Sequence, residues 1–210
     1  ENSVLAAEAS MSKNKSRDKH RIQTKLIHSG SLRSQNNETS EAIYLTSGYI
    51  YNSAEEAEAR FKGESDGYIY SRYSNPNLTM LEKKLCEMEG AESARLTSSG
   101  MAAVFWALFT NLQSGDHIVA ADALFGSCLS ILRDILPNYG IEVTIVRASK
   151  MEDWEKSIKK NTKVFFFETP TNPMLEIIDI KKLSQIAKAN NIKVIIDNVF
   201  ATPLRQRPME

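Results

Sequence analysis

The chain has 210 residues, of which 42% are hydrophobic and 25% charged, a composition typical of a globular protein with a real hydrophobic core. Its 26 basic and 26 acidic residues cancel, so no global field attracts nucleic acid or an anionic membrane, and the apolar run over 102–109 is too short to cross a bilayer. Two cysteines are too few for a disulfide framework and indicate a reducing compartment, the cytoplasm.

The amino-terminal region is polar and lacks a sustained hydrophobic period. Residues 1–20 are expected to be a disordered extension, and 21–65 an arm in which 22–28 can form one helical turn. An arm with so little core of its own is either dispensable or packs on a partner chain. His28 has no second metal ligand near it in sequence, so no metal site is predicted.

Two helices and a loop are predicted next. The Ser-Ala-Glu-Glu stretch at 53–56 is a capping box, which predicts a helix that ends at Gly63. A polar and aromatic loop over 67–76 follows. It precedes a helix with four apolar residues on one face, namely Leu78, Leu81, Leu85 and Met88.

Within that loop, Arg72 stands between two tyrosines, one of which is Tyr70. A guanidinium can bind a phosphate through its planar fork while a phenol adds one more donor. An aromatic loop packed on the surface beside a solvated arginine explains the same residues equally well. The two interpretations stay open at this point.

From residue 92 onward, strand and helix patterns alternate, which predicts right-handed βαβ units and an α/β fold with helices on both faces of a mostly parallel sheet. Residues 66–210 are expected to form one large domain. The predicted strands are 93–97, 117–121, 141–146, 164–168 and 194–197, and the predicted helices are 101–112, 127–136, 151–159 and 180–190. Residues 165–167 and 194–196 are apolar without alternation, which is typical of central strands.

Polar stretches follow several of these strands, at 98–101, 125–127, 169–173 and 197–198. Ligands of parallel sheets bind beyond the carboxyl ends of the strands, so we expect these stretches to lie around one site.

The first of them is a Ser-Ser-Gly-Met turn that leads into an apolar helix over 102–109, expected to be buried on most sides. Free amides and the helix dipole favour a phosphate at such a turn, although a plain capped helix start is the commoner case.

Asp197 follows the apolar run 194–196 directly. A carboxylate at the end of a buried strand needs a cationic or hydrogen-bonding partner. It either meets a ligand cation in the crevice or caps the following turn, as aspartate commonly does.

Four motifs occur in order: Tyr-Ser-Arg-Tyr-Ser-Asn-Pro at 70–76, Ser-Ser-Gly-Met-Ala-Ala at 98–103, Glu-Thr-Pro-Thr-Asn-Pro at 168–173 and Asp-Asn-Val-Phe-Ala-Thr-Pro at 197–203. Together they resemble the Cys/Met-metabolism family of pyridoxal-phosphate enzymes, the cystathionine γ-synthase-like group. The resemblance covers residue 22 to the end.

The resemblance implies a type-I aminotransferase-like fold, with an N-terminal arm, a large cofactor domain and a smaller C-terminal domain. The chain is then expected to be a fragment that lacks the C-terminal domain. The Schiff-base lysine of the family, in a Ser-x-Thr-Lys stretch, is expected beyond residue 210, so this chain alone should be inactive.

For the phosphate of pyridoxal 5'-phosphate, the resemblance implies Ser99, Gly100 and Met101 at the helix start. It also implies that Tyr70 and Arg72 reach the phosphate of the neighbouring subunit, in a homotetramer whose active sites are shared across a dimer.

For the cofactor ring, the resemblance implies that Asp197 pairs with the protonated pyridine nitrogen and that Phe125 lies over the ring face. These two are the residues implied in catalysis. Asn172 is expected close to the cofactor or to the substrate carboxylate.

Many family members carry tyrosine where this chain has Phe125, and Phe-Gly-Ser at 125–127 with residues 44–49 resembles the O-succinylhomoserine sulfhydrylase branch. We therefore expect an enzyme of methionine biosynthesis whose small-molecule substrates are sulfide and O-succinylhomoserine or O-acetylhomoserine, and whose product is homocysteine. Cystathionine γ-synthase and methionine γ-lyase are the alternatives. A non-catalytic α/β domain that binds a phosphate ligand is a remoter one.

Overall fold

The structure is a computed structural model, and it describes residues 20–210. These residues form two compact units, one up to Leu96 and the other Thr97–Pro208. The expected disorder of residues 1–20 falls, except for residue 20, outside the described part.

In its described residues, 20–96, the first unit contains three helices, α1 (Ile22–His28), α2 (Ala54–Lys62) and α3 (Pro76–Glu89). Helix α2 begins and ends as predicted, because Ser53 Oγ accepts a hydrogen bond from Glu56 N–H and Gly63 takes the left-handed conformation with φ 74°. The other half of the capping box differs, since Glu56 Oε2 accepts from the N–H of Asn52 at 2.7 Å.

Helix α3 starts at Pro76, capped by the Asn75 side chain. Its predicted apolar face is only partly buried: Met88 is enclosed, whereas Leu78 and Leu81 remain 44% and 46% exposed. Met80 is buried instead. The backbone at Gly30 runs so close to α3 there that an added Cβ would collide with the carbonyl oxygen of Met80.

The second unit is a four-stranded, wholly parallel sheet in the order β2-β1-β3-β4. Its elements in chain order are α4 (Gly100–Phe109), β1 (His117–Ala121), α5 (Gly126–Ser130), a π-helical turn (Ile131–Ile135), a 3₁₀ turn (Leu136–Tyr139), β2 (Glu142–Val146), α6 (Met151–Lys156), β3 (Thr162–Glu168), α7 (Ile180–Ala189), β4 (Lys193–Asp197) and α8 (Thr202–Arg205).

The core lies around the two central strands. Every residue of β1 is buried, and so is every residue of β3 except Lys163, so both faces of these strands are covered as a parallel sheet requires. The Trp154 ring on α6 packs edge-on against Phe165 and Phe167, with centroids 5.2 and 5.9 Å away.

Within the described residues, one predicted strand is absent, and another, which forms as predicted, lies elsewhere in the sheet than expected. Residues 93–97 form no strand, and the Leu96 N–H donates to Glu82 Oε1 at 3.1 Å instead of to a ladder partner. Strand β4 lies at the edge of the sheet, although its apolar run was expected in the centre, and its residues 194–196 are only half-buried.

Helix α4 also differs from expectation. Leu108 is its one fully buried residue and Trp106 is 57% exposed, so the helix is not enclosed on most sides. Met101, Val104 and Phe105 pack against the core from the face that α4 turns to the sheet. The apolar sequence of α4 therefore predicted that more of its side chains are buried than the structure shows.

Candidate active site

A cavity of about 510 Å³ lies at the carboxyl ends of the strands in the second unit. Its volume is within the size range of small-molecule sites. In the strand order β2-β1-β3-β4, the topological switch point lies between β1 and β3, and α/β sheets bind ligands at such a point. Six residues singled out in the sequence line it together: Ser99, Gly100, Met101, Phe125, Asn172 and Asp197.

The start of α4 lines the cavity. Ser99 Oγ accepts from Ala102 N–H at 3.1 Å, and its carbonyl oxygen accepts from Ala103 N–H at 3.0 Å. A helix offers no internal partner to its first N–H groups, which here belong to Gly100 and Met101. A Cβ added at Gly100 would meet no protein atom within 4 Å, so the space beside this backbone belongs to the cavity.

Two carboxylates also line the cavity. Glu168 ends β3 and Asp197 ends β4, and the two are register partners in the parallel ladder. Glu168 is 1% exposed, and burial together with the charge of Asp197 raises the pKa of its carboxyl group. Among the described residues, the lining contains no lysine, arginine or histidine, so the two carboxylates favour a cationic group in the cavity.

Asp197 has a structural role as well. Its Oδ1 accepts from Val199 N–H at 3.0 Å, which is the turn-capping arrangement anticipated as one alternative. Because Asp197 also lines the cavity, capping does not remove it from contact with a ligand.

The Phe125 ring lies at the cavity and is 46% exposed. Its backbone is held on both sides, since its N–H donates to Glu168 Oε2 at 3.2 Å and its carbonyl oxygen accepts from Cys128 N–H at 2.9 Å. The ring is therefore presented to the cavity from a fixed segment.

Asn172 sits in a turn that two buried threonine hydroxyls hold. Thr171 Oγ1 accepts from Glu176 N–H at 2.9 Å, and Thr169 Oγ1 accepts from Ile178 N–H at 3.0 Å. The Gln206 side chain adds a bond to the Thr169 carbonyl oxygen at 2.8 Å. These contacts place the Asn172 backbone beside Glu168, where its N–H stabilises the ionised carboxylate and lowers the pKa of Glu168.

Two titratable residues of the cavity, Glu168 and Cys128, were given no role in the sequence analysis. An acidic residue that ends an apolar strand was the signal used for Asp197, and the same signal applied to Glu168. Burial and the charges of Asp197 and Glu168 raise the pKa of the Cys128 thiol to about 11, so at neutral pH it remains protonated and is no nucleophile.

Tyr70 and Arg72 belong to the first unit. The Arg72 guanidinium lies 4.9 Å from the Tyr70 ring centroid and 5.5 Å from that of Tyr73. A backbone bridge pairs Tyr70 with Gly48, and Ser71 N–H donates to the Ser47 carbonyl oxygen at 2.9 Å. The cation and the two phenols thus form one cluster, and its phosphate-binding role stays a prediction.

Over residues 20–210, no group of three or more histidine, cysteine, aspartate or glutamate side chains is arranged to hold a metal ion. In the same residues, no helix is both long and apolar enough to span a membrane.

Comparison with known proteins places these features in a family. Residues 23–210 match the family described as Cys/Met metabolism PLP-dependent enzyme. The chain is 48% identical over 181 residues to O-succinylhomoserine sulfhydrylase of Mycobacterium tuberculosis, and this match covers 86% of this chain and 45% of that protein. It is 42% identical over 193 residues to L-methionine gamma-lyase of Fusobacterium nucleatum, and this match covers 91% of this chain and 49% of that protein.

A solved structure from Campylobacter jejuni, assigned to O-acetylhomoserine (thiol)-lyase, superimposes with a TM-score of 0.86 at 35% identity, over 90% of this chain and 47% of that one. That structure contains N'-pyridoxyl-lysine-5'-monophosphate. The chain thus spans about half the length of the relatives it matches.

Proposed function

Because this chain belongs to the Cys/Met metabolism PLP-dependent enzyme family, we propose that its cavity binds pyridoxal 5'-phosphate in an enzyme that makes homocysteine from sulfide and an O-acylated homoserine. The reaction breaks the Cγ–O bond of O-succinylhomoserine or O-acetylhomoserine, forms a Cγ–S bond and releases the carboxylic acid. The observation that carries the proposal is one cavity lined both by the free amides at a helix start and by two carboxylates, with no basic side chain among the described residues that line it.

The residues present fit the cofactor. The amides of Gly100 and Met101, with the positive end of the α4 dipole, suit the phosphate group. Asp197, next to Glu168, suits a protonated ring nitrogen, and the Phe125 ring offers a face for stacking. Asn172 is proposed to contact the cofactor or the carboxylate of the substrate.

When bound, pyridoxal phosphate supplies an electron sink for carbanion chemistry next to the substrate amino group. The part of this chain is to hold the two ends of the cofactor and to keep a negative charge at its ring nitrogen. The Cys128 thiol, protonated at neutral pH, contributes packing to the wall and no competing nucleophile.

The choice of reaction rests on the relatives. The 48% identity to O-succinylhomoserine sulfhydrylase and the Phe-Gly-Ser sequence at 125–127 favour replacement by sulfide. The 42% identity to L-methionine gamma-lyase makes γ-elimination from methionine the second candidate.

The experiment is a product assay on the full-length protein that contains this chain, reconstituted with pyridoxal 5'-phosphate. With O-succinylhomoserine and sulfide we expect homocysteine and succinate in equal amounts, and we expect faster turnover with sulfide than with cysteine. Faster production of methanethiol and 2-oxobutanoate from methionine alone would assign the lyase reaction, and cystathionine as the main product with cysteine would assign a cystathionine γ-synthase.

We also propose that Tyr70 and Arg72 serve the phosphate of a neighbouring subunit, in a homotetramer built from dimers. An exposed cation between two phenols in the first unit supports this role.

A further inference from the structure

We propose that Glu168 is a positioning residue, whose carboxylate fastens the Phe125 loop and the Asn172 turn to the end of β3 and so sets where these two side chains meet the cofactor. The inference rests on the proposed function, from which the roles of Phe125 and Asn172 come.

The contacts of Glu168 reach two segments that are distant in sequence. Its Oε2 accepts from the Phe125 N–H at 3.2 Å, at the start of α5. The backbone N–H of Asn172 also stabilises the ionised carboxylate, which lowers the pKa of Glu168. The residue is 1% exposed, so water does not compete for these bonds. One side chain therefore joins the two loops that border the cavity.

A carboxylate suits this task better than an amide does. It accepts hydrogen bonds at both oxygens and donates none, so it can satisfy two backbone N–H groups together. A glutamine in the same place would turn its NH₂ group toward one of the two amides and leave a buried donor without a partner.

The position of Glu168 is costly for stability alone. It is buried beside Asp197, and within residues 20–210 no basic side chain lines the cavity to offset the two carboxylates. Burial and Asp197 raise the pKa of Glu168, while the two backbone bonds lower it. A buried charge that lacks an ion-pair partner and binds two functional loops is typical of a site that gives up stability for function.

The test uses the full-length protein and the variant Glu168→Gln, with Glu142→Gln as the matched control. Glu142 is also a strand glutamate, but it is exposed and pairs with Lys159 at the start of β2. The readouts are the dissociation constant for pyridoxal 5'-phosphate, the circular dichroism of the bound cofactor and urea unfolding. We expect Glu168→Gln to weaken cofactor binding at least about tenfold, the equivalent of one charge-assisted hydrogen bond, and to change the dichroism, while Glu142→Gln changes neither.

A double-mutant cycle shows whether Glu168 acts through its two partners. In a Phe125→Ala/Asn172→Ala background there is no ring or amide left to position, so the effect of Glu168→Gln on the dissociation constant should shrink to less than about a third of its wild-type size. An undiminished effect would overturn the positioning role and assign direct electrostatic contact with the cofactor.

Glu168→Asp covers the case in which Glu168→Gln does not fold. The shorter carboxylate keeps the charge but cannot reach both amides, so we expect weaker binding and altered dichroism with the unfolding midpoint little changed. Binding as tight as wild type in Glu168→Asp and in any folded Glu168→Gln would refute the inference alone. A wild-type protein that binds no pyridoxal 5'-phosphate would refute the proposed function as well.

Discussion

His117 is a fully buried histidine at the amino end of β1, whereas the cavity lies at the carboxyl ends of the strands. Its Nδ1 lies 2.7 Å from Thr162 Oγ1 and its Nε2 lies 2.8 Å from Thr144 Oγ1, so both ring nitrogens have hydroxyl partners. Burial, and then the charge of Lys159, lowers the pKa of His117, with Glu142 opposing. It is a structural histidine that the protein keeps neutral.

His117 therefore links stability to pH. Since the folded pKa lies below 6.5, the unfolded chain binds the proton more readily, and the contribution of His117 is complete above pH 6.5 and is lost as the pH falls toward the folded pKa. We expect the free energy of unfolding to decrease below pH 6.5 by at most about 1.4 kcal/mol per pH unit from this residue. Urea unfolding at pH 7.5 and pH 5 measures it.

The control for this prediction is a pair of variants. His117→Gln should be less stable at pH 7.5 but should lose less on acidification than wild type, whereas His28→Gln, at an exposed position, should follow the wild-type profile. Parallel profiles for wild type and His117→Gln would contradict the linkage.

At the scale of the element, the start of α4 combines a helix cap with the proposed phosphate site. Ser99 and Ser53 have the same geometry, each with an extended backbone and a side chain that accepts from an N–H three residues on. Removing either hydroxyl should lower the stability of its helix by about 0.5–2 kcal/mol. They differ in that only Ser99 lies at the cavity.

We therefore expect Ser99→Ala to weaken binding of pyridoxal 5'-phosphate severalfold, because the first turn of α4 loses its fixed amides. Ser53→Ala should destabilise the protein to a similar extent and leave binding unchanged. Cofactor titration and urea unfolding of both variants measure these effects. Equal loss of affinity in the two would show that general destabilisation, and no local amide site, explains the result.

At the scale of the whole molecule, the proposed shared site can be tested by mixing subunits. Arg72→Ala and Asp197→Ala chains should each be inactive alone. The first lacks the arginine proposed to bind the cofactor phosphate, and the second lacks the carboxylate proposed to pair with the ring nitrogen. If Arg72 serves the neighbour's site, each mixed dimer has one intact site of two. Because half of randomly formed dimers are mixed, we expect roughly a quarter of wild-type activity after joint refolding.

The control is the double variant Arg72→Ala/Asp197→Ala mixed with wild type, which leaves no intact site in a mixed dimer. If the first mixture stays as inactive as its parents while size-exclusion chromatography shows mixed oligomers, Arg72 does not act across the subunit boundary.

The sequence alone determined those features that depend on neighbours along the chain. Ser53 and Gly63 bound α2, and β1 covers 117–121 as predicted, because capping and strand formation there follow from residues within a few positions. The four ordered motifs also identified the family, and the match over residues 23–210 confirms it. These features follow from local chemistry and from the order of residues along the chain.

The tertiary structure decided what depends on partners far away in sequence. Residues 93–97 have strand composition but no ladder, and β4 lies at an edge, because a strand requires a neighbour that its own residues do not specify. Glu168 acquired its place only when β3 paired with β4 and brought it beside Asp197, and when the Phe125 loop folded back onto it. Periodicity reports which residues prefer burial, whereas register and loop closure decide which of them meet.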